Sequence, residues 1–406
     1  MLIIQINASY KPAYIYGGPT MSVSKLSEEL VKAGVNVQVL TTTANGLKEL
    51  AVNTGETILV DGVPVRYFIR LSKDHSHFSP ALLIGLYNEL NKKDKPTNSQ
   101  YSIPDNEHTV SNSQNQIIHI HAWWNMVSIL SCIICLWKSK PVLLSPRGTL
   151  SNYTFNNRKS LLKNIFHQAI GKALLQRCHF HVTSEKEKAD IIAIINPRSI
   201  IVIPNFVNLG SYKNSADFSP PTATSGSFKL IFLSRIEEKK GLDILFKALA
   251  LLRISWHLTI AGTGEPDYIL YLKSQVTAMN LANRITWIGH QDNEQKFIVL
   301  AGHDLMILPS YDENFANVVI ESLSVGTAVL ISSNVGLADY VTEKDLGWVT
   351  DNTPVNLAES INTAFIDTQK RKRIRLEASA QINTDFDEQF ILKRYLELYR
   401  NIHTNA

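Results

Sequence analysis

The sequence predicts an α/β protein made of two doubly wound parallel-sheet domains joined by a linker. Three observations carry that prediction. Short β-branched runs alternate with longer helical patterns over most of the chain, the signature of βαβ units. The pattern halts at 211–227 (SYKNSADFSPPTATSGS), where adjacent prolines with Ser, Thr and Gly make linker composition, and then restarts. The 406 residues suffice for two or three domains at roughly 100–200 residues each. The expected boundaries are 1–210 for an N-terminal Rossmann-like domain, 228–385 for a second, nucleotide-binding-type domain, and 386–406 for a C-terminal helix.

In the first domain Met1–Ile6 reads as a buried strand, a helix follows from about Thr20 to Ala33, Gly34 ends it, and Val35–Thr41 is the next strand. Pro64–Ile69, Ile117–His121, Val142–Ser145, His179–Thr183 and Ile200–Ile203 continue the strand series. Residues 91–116 are almost free of apolar side chains and read as a surface excursion or a disordered loop. Residues 158–177 read as one basic amphipathic helix. Leu161, Leu162, Ile165, Phe166, Ala169, Ile170, Ala173 and Leu174 fall on one side, with Lys163, His167, Lys172 and Arg177 over the rest. Such a helix either faces the core in the ordinary way or lies on an anionic membrane. In the second domain Lys229–Ser234, His257–Ala261, Ile285–Ile288, Leu305–Leu308 and Ala328–Ser332 read as strands with helices between them. The tail from about Asp387 to Ile402 is helical, with Ile391, Tyr395, Leu398 and Ile402 on one face. Sheets of this kind bind ligands at their carboxyl ends.

Composition excludes several function classes. With 45% hydrophobic and 19% charged residues the chain is too apolar for disorder. Its longest apolar run, Trp123 to Trp137, has 15 residues, short of the ~20 that span a bilayer. The start, MLIIQINASY, has no basic lead-in and reads as no signal peptide. Three cysteines cannot close a disulfide framework. The C-x-x-C of Cys132 and Cys135 lies in an apolar segment with no second Cys/His pair at zinc spacing, so it reads as core, and a reducing, cytoplasmic setting follows. The charge is uneven: residues 1–215 carry 22 basic against 13 acidic side chains (+9), and the remainder 18 against 23 (−5). The basic half suits an anionic partner, such as a membrane surface or a phosphorylated acceptor, or is merely an uneven solvated surface.

The strongest chemical signal is PSYDENFANVVIE at 309–321. A strand feeds a polar loop, and the loop feeds a helix expected to begin near Phe315. Glu313 then precedes the free backbone N–H groups of Ala316, Asn317 and Val318, which with the helix dipole suit phosphate. A carboxylate beside an anion site makes sense if it accepts hydrogen bonds from sugar hydroxyls, and Glu321 is placed to accept from a ribose. The alternative is a capping Glu313 and a solvated Glu321. Arg235 and Lys240, in SRIEEKKG, follow a strand at a βα turn where both reach one anion, the first as a bidentate fork and the second as a point charge, or remain surface charges. Lys239 is expected to point elsewhere. Gly17 and Gly18 follow the first strand and admit close backbone approach to a diphosphate. Gly262 and Gly264 form a G-x-G without a third glycine, which disfavours a dehydrogenase. His119 and His121 share one strand face, each either structural or in a site, and Trp123, Trp124 and Asn125 follow. Arg147 comes directly after the strand ending at Ser145, in a site or in a buried ion pair.

On these residues the chain resembles the family 4 retaining glycosyltransferases, which have the GT-B fold. The E-x₇-E spacing of Glu313 and Glu321, the R-x₄-K-G of Arg235 to Gly241, the glycine loop at Gly17-Gly18, the turn Ile260 to Gly264 and the segment Gly326 to Val329 are similar to the family's elements in the family's order. The segments IYGGPTMSVSKL and HIHAWWN are most similar to a bacterial exopolysaccharide subgroup that includes exosortase-associated members. Asn314, Ala316 and Ala328 depart from the family pattern, which has glycines and a proline there. The resemblance implies two facing domains with a cleft between them and a C-terminal helix that crosses back. It implies catalytic roles for Arg235, Lys240, Glu313 and His121, and a donor side formed by Gly17, Gly18, Gly262, Gly264, Gly289, Phe315, Ala316, Asn317, Val318 and Glu321. Trp123, Asn125 and Arg147 fall on the acceptor side.

The implied reaction moves sugar with retention from a nucleotide-diphosphate sugar to a saccharide or polyprenyl-diphosphate-linked saccharide in surface polysaccharide assembly. The leaving phosphate takes the acceptor's proton, with no metal, no resident cofactor and no nucleic acid. The setting is the cytoplasm, at the inner face of the membrane if helix 158–177 touches lipid. Another GT-B enzyme, such as a nucleotide-sugar 2-epimerase, and a non-catalytic sugar-nucleotide-binding partner of a polysaccharide complex remain alternatives.

Overall fold

The computed structural model describes residues 1–92, 116–151, 153–154, 160–209, 226–292 and 294–404; most of the polar excursion and of the linker lie outside these residues. The chain divides into two compact units, Met1–Phe206 with Glu388–Ala406, and Val207–Asp387. In chain order the first unit runs β1 (Leu2–Ile6), α1 (Gly18–Lys32), β2 (Asn36–Thr42), β3 (Ala44–Asn45), β4 (Lys48–Glu49), β5 (Thr57–Val60), β6 (Val63–Phe68), α2 (Pro80–Leu90), β7 (Gln116–His121), α3 (Met126–Trp137), β8 (Val142–Ser145), α4 (Ser160–Phe166), α5 (Lys172–Leu175), β9 (His179–Val182), α6 (Glu185–Ile194) and β10 (Ser199–Val202).

Its main sheet has the order β10-β9-β8-β7-β1-β2-β6-β5, parallel throughout except for the edge strand β5. Ile4 of β1 lies in register with Gln38 on one side and Ile118 on the other. Continuous apolar runs such as LIIQI suit strands covered on both faces. The helices start where side chains satisfy their free N–H groups: Ser79, Asn125 and Ser184 cap α2, α3 and α6. Ile118, Ile120, Leu144 and Phe180 form a core with Leu86, Cys132 and Leu175. All three cysteines are buried and free, so the C-x-x-C is core.

The second unit runs β11 (Phe228–Leu233), α7 (Leu242–Leu251), β12 (Trp256–Ala261), α8 (Pro266–Ala278), β13 (Ile285–Gly289), α9 (Gln295–Ala301), β14 (Leu305–Leu308), α10 (Asn317–Ser324), β15 (Ala328–Ser332), α11 (Ala338–Glu343), β16 (Gly347–Thr350), α12 (Pro354–Ile366) and α13 (Thr368–Asp385). Its parallel sheet has the order β13-β12-β11-β14-β15-β16. The chain then returns to the first unit as α14 (Glu388–Thr404), which buries Ile391, Tyr395, Leu398, Tyr399 and Ile402. In each sheet the strand order reverses beside the first strand, between β1 and β7 and between β11 and β14. Those are the topological switch points at which such sheets bind ligands.

Two doubly wound parallel sheets are what the sequence predicts. Three local expectations need correction. Helix α1 starts at Gly18 rather than Thr20, because Gly17 takes a positive φ of 63° and Pro19 fits the first turn. Helix α10 starts at Asn317 rather than near Phe315, because Ala316 sits in the left-handed region at φ 70°, ψ 72° and stops the helix from extending backwards. The basic helix is not one α-helix: a π turn, His167–Gly171, separates α4 from α5. A π turn holds more residues than an α turn, so the two sides of the break do not share one continuous face.

Candidate active site

Both arms of the second unit's switch point carry charge. Arg235 follows β11, and the short 3₁₀ turn Glu238–Lys240 carries Lys240 inward, where it is buried. Gly241 turns the chain into α7 with φ +73°, and a Cβ there would run into the carbonyl oxygen of Pro309, so this crossing admits only glycine. That close approach brings the loop after β14 alongside: Tyr311 N–H donates to Lys239 O at 2.8 Å, and Lys240 Nζ donates to Glu313 Oε2. The backbone of Glu313 is fixed on its other side, with its N–H on Asn334 O and its C=O accepting from Gly336. Ser310 Oγ, in the same loop, is buried and has no protein partner.

The electrostatics have a definite sign. Burial pushes the Glu313 carboxyl up, but Lys240, Lys239 and Arg235 together outweigh it and hold Glu313 below the ordinary carboxylate range. Burial pushes Lys240 down, and Lys239 and Arg235 add to that, although Glu313 pulls the other way. Lys240 is thus ion-paired with a mostly buried carboxylate, and the charges of Lys239 and Arg235 act on the same group. Arg235 is half-exposed and rests on Glu237 at 2.6 Å, leaving it free to exchange partners. Lys239 makes its contact with this loop through its backbone carbonyl, and its charge adds to the field at Glu313. Arg235 and Lys240 are cations of the kind that pair with a diphosphate.

The nucleotide-side residues are also brought together. Phe315 is buried against Phe386, Ala316 caps α10, and the N-terminal residues Asn317 and Val318 open that helix. Glu321, one turn on, pairs with Lys296 of α9 at 2.7 Å, both nearly buried. Lys296 went unread in the sequence: 25 residues separate it from Glu321, with no periodic relation to mark the pair. Gly262 and Gly264 are required by packing. A Cβ on Gly262 would strike Ser234 O, and one on Gly264 would strike Ile236 O, so these glycines let the turn after β12 lie against the Arg235 loop. Gly289 accepts from Gly262 N–H at 2.7 Å and is exposed.

In the first unit the catalytic candidate His121 and the three residues expected on the acceptor side fall mostly inside. His121 is wholly buried, with Nε2 on Gln5 Oε1 and Nδ1 accepting from Arg147 Nε at 3.3 Å. Burial, His119 and Arg147 hold it well below its ordinary pKa, hence neutral. No ring nitrogen is left for a sugar, so direct contact between His121 and substrate is corrected to a positioning place behind Arg147. Trp123 is a core side chain and Asn125 caps α3 by accepting from Ser128 N–H at 2.8 Å; neither is set out toward a ligand. Arg147 alone of the four keeps exposed surface, steadied by His121 and by Asn205 Oδ1 at 3.0 Å. Gly17 caps α1, and Gly18 has open space where its side chain would be.

Behind Arg147 lies a continuous polar layer. His119 joins Tyr399 OH (2.8 Å) and Ser145 Oγ (2.7 Å), Ser145 joins His181 Nδ1 (2.6 Å), and His181 Nε2 lies near Ile203 O (2.9 Å) and Tyr395 OH (3.0 Å). It ties β7, β8 and β9 to α14.

Comparison with known proteins agrees with this architecture. Residues 16–211 match the sequence family described as Glycosyltransferase Family 4, and residues 214–381 match Glycosyl transferases group 1. An uncharacterized glycosyltransferase of Methanocaldococcus jannaschii is 24% identical over 237 residues, 55% of this chain and 60% of that protein. A D-inositol 3-phosphate glycosyltransferase of Jonesia denitrificans is 24% identical over 399 residues, 89% of this chain and 86% of that one. Among solved structures, Anabaena HepE in complex with UDP and glucose superposes with a TM-score of 0.70 at 20% identity, covering 99% of this chain and all of the other, a likeness of fold.

Proposed function

Starting from a chain that belongs, through matches over both halves, to the family 4 glycosyltransferases, we propose that it is a retaining glycosyltransferase using a nucleotide-diphosphate sugar. The observation that carries the reading is the Lys240–Glu313 ion pair, with Arg235 on the same loop, at the β11/β14 switch point. Excess positive charge there stabilises the diphosphate as it leaves, which is where barrier lowering is needed. Arg235 exchanges Glu237 for the diphosphate, and Lys240, held by Glu313, is its second cation. The N–H groups of Asn317 and Val318 face phosphate oxygens, and Glu321, steadied by Lys296, accepts from the ribose. That HepE binds UDP supports a nucleoside diphosphate leaving group.

Glu313 is held ionised, so it accepts hydrogen bonds from sugar hydroxyls and fixes the ring. The bond from C1 to the phosphate oxygen breaks while a bond from C1 to the acceptor oxygen forms on the same face. The acceptor's proton passes to the departing phosphate oxygen, so no protein base is needed. Arg147 meets negative charge on the acceptor. The acceptor is an oligosaccharide or a polyprenyl-diphosphate-linked saccharide of a bacterial surface polysaccharide, reached at the cytoplasmic face of the membrane, with the basic segment 158–177 turned toward it.

Thermal unfolding against a panel of nucleotide sugars, with and without chelator, tests the reading. A ligand at 100 times its dissociation constant stabilises by about 2.7 kcal/mol. One donor that raises Tm regardless of chelator is expected, followed by transfer to added saccharide with the anomeric configuration kept, read by NMR. An inverted product, or a chelator-dependent donor shift, would overturn the mechanism.

A further inference from the structure

We propose that a cavity of about 230 Å³ at the amino-terminal edge of the second unit's sheet is a binding site for a phosphate group, free or carried as a phosphomonoester. Asp304, just before β14, Gly326, between α10 and β15, and Thr368, Arg371, Lys372 and Arg375 of α13 line it. The last four recur at i, i+3, i+4 and i+7, so one face of α13 supplies them. A space of this size takes several waters, and hence a phosphate with part of what it is bonded to. Arg235, Lys240 and Glu313 follow the carboxyl ends of β11 and β14, so the cavity lies at the opposite end of the sheet from them.

Charge selects the ligand. The run Lys370-Arg371-Lys372-Arg373-Ile374-Arg375 puts five cations into six residues, and the two sides of the helix treat them differently. On one side Lys370 and Arg373 both rest on Asp345, each at 2.5 Å. Arg371, Lys372 and Arg375, on the cavity side, have no ion pair among the described residues. Two of them are held in place by helix ends. Arg371 Nη1 donates to Ala364 O and, at 2.8 Å, to Phe365 O where α12 stops. Arg375 Nη1 and Nη2 donate to Ala301 O (2.8 Å) and His303 O (2.6 Å) where α9 stops. Arg371 Nε and Nη2, Arg375 Nε and the Lys372 ammonium are left with no protein acceptor among the described residues. A guanidinium already fixed by carbonyls loses little freedom when it takes an oxyanion, and its planar fork suits one. Burial pushes both guanidiniums down and Asp304 only partly offsets it, so an anion here meets cations that lack one. The nearby acids are engaged elsewhere: Asp304 Oδ2 accepts from Lys229 N–H at 2.8 Å, and Asp367 Oδ1 from Lys370 N–H at 2.9 Å. Three cations against the one carboxylate on its wall leave the cavity positive. Gly326 ties it to α10, because a Cβ there would come within 2.6 Å of Arg375 O. The ligand therefore sits at the far end of the helix that begins at Asn317.

The test is thermal unfolding of the full chain in inorganic phosphate and in glucose 6-phosphate at fixed ionic strength. It compares the wild type, Thr368→Glu with Lys372→Glu, and Lys240→Ala. Thr368 and Lys372 are exposed, so the double variant should keep a native circular dichroism spectrum. A saturable rise in Tm is expected in the wild type and in Lys240→Ala. Its midpoint concentration should be raised roughly 10–100-fold in the double variant, through loss of charge-assisted hydrogen bonds. Asp304→Asn keeps an acceptor for Lys229 N–H and should tighten binding, since a like charge leaves the cavity. A larger shift with glucose 6-phosphate makes a phosphomonoester the ligand, and equal shifts make it the phosphate group alone. No saturable rise overturns the proposal, and so does a rise that the double variant keeps in full. A rise that Lys240→Ala removes overturns it as well, since the phosphate would then sit beside Arg235.

Discussion

Lys240 and Glu313 lie 73 residues apart, yet each depends on the other for its charge. Removing the lysine takes a fixed cation from the leaving diphosphate, a loss comparable to that of an oxyanion donor, about 10²–10³ in rate. Lys240→Ala is therefore expected to abolish transfer in an ordinary assay while the circular dichroism spectrum stays native; a wild-type rate would take Lys240 out of the mechanism. Ala316 gives an opposite prediction. An L-residue in the left-handed region costs roughly 1–2 kcal/mol, and glycine recovers most of that while losing some unfolded-state restriction. Ala316→Gly should stabilise the chain by about 0.5–1 kcal/mol, read as a rise in denaturation midpoint. The placement of Arg235, Lys240 and Glu313 was legible because each lies in a loop after a strand within a short, spaced motif, with Glu321 in the helix that comes next. Trp123 and Asn125 also follow a strand, but spacing does not tell an inward turn from an outward one. Only packing does, and it put the indole in the core and the amide on a helix end.

At the scale of elements, the strands of both sheets could be read because two-sided burial demands continuous apolar runs. The edge strand β5, TILV with two exposed positions, and the short β16, GWVT, carry too little of that pattern. The polar layer joining β7, β8 and β9 to α14 was equally hidden, since its members are scattered over 280 residues. Its two histidines and the adjoining His121 are held neutral: burial and neighbouring charge push His119 and His121 well below the ordinary value, and His181 to about 3. The sign follows. Unfolded histidines take up protons below about pH 6.5 while the folded ones do not, so the stability is complete above that pH and is lost as pH falls toward the folded values. Three protons give a slope of up to about 4 kcal/mol per pH unit. Thermal melts should fall steeply between pH 6.5 and pH 5, before the carboxylates titrate. His77, His167, His179, His257 and His303 are held low as well, so His181→Gln should remove one proton's share of the slope, up to about 1.4 kcal/mol per pH unit; an unchanged slope would place the acid sensitivity elsewhere.

For the whole molecule, the two units do not depend on the chain in the same way. The second is one continuous stretch, Val207–Asp387, with its own six-stranded sheet, whereas the first is closed by a helix that arrives from beyond it. That helix buries Ile391, Leu392, Tyr395, Leu398, Tyr399 and Ile402. At about 1.5–3 kcal/mol for each such side chain, its contribution is on the order of the whole 5–15 kcal/mol that holds a domain together. A chain stopped at Asp387 would also leave His119 Nδ1 and Gln5 Nε2 facing the place of Tyr399 without that partner, a further cost. The truncated protein should lose amide protection in β1, β7, β8 and β9 and keep it in β11, β12 and β14, as measured by hydrogen exchange. It should still show the nucleotide-sugar shift in melting of the second unit if the donor is held by Arg235, Lys240, Glu313 and Glu321. Full protection of β7 and β9 in that chain would mean that α14 covers a sheet already stable without it. The buried His–Tyr layer would then be a consequence of docking and not its cause.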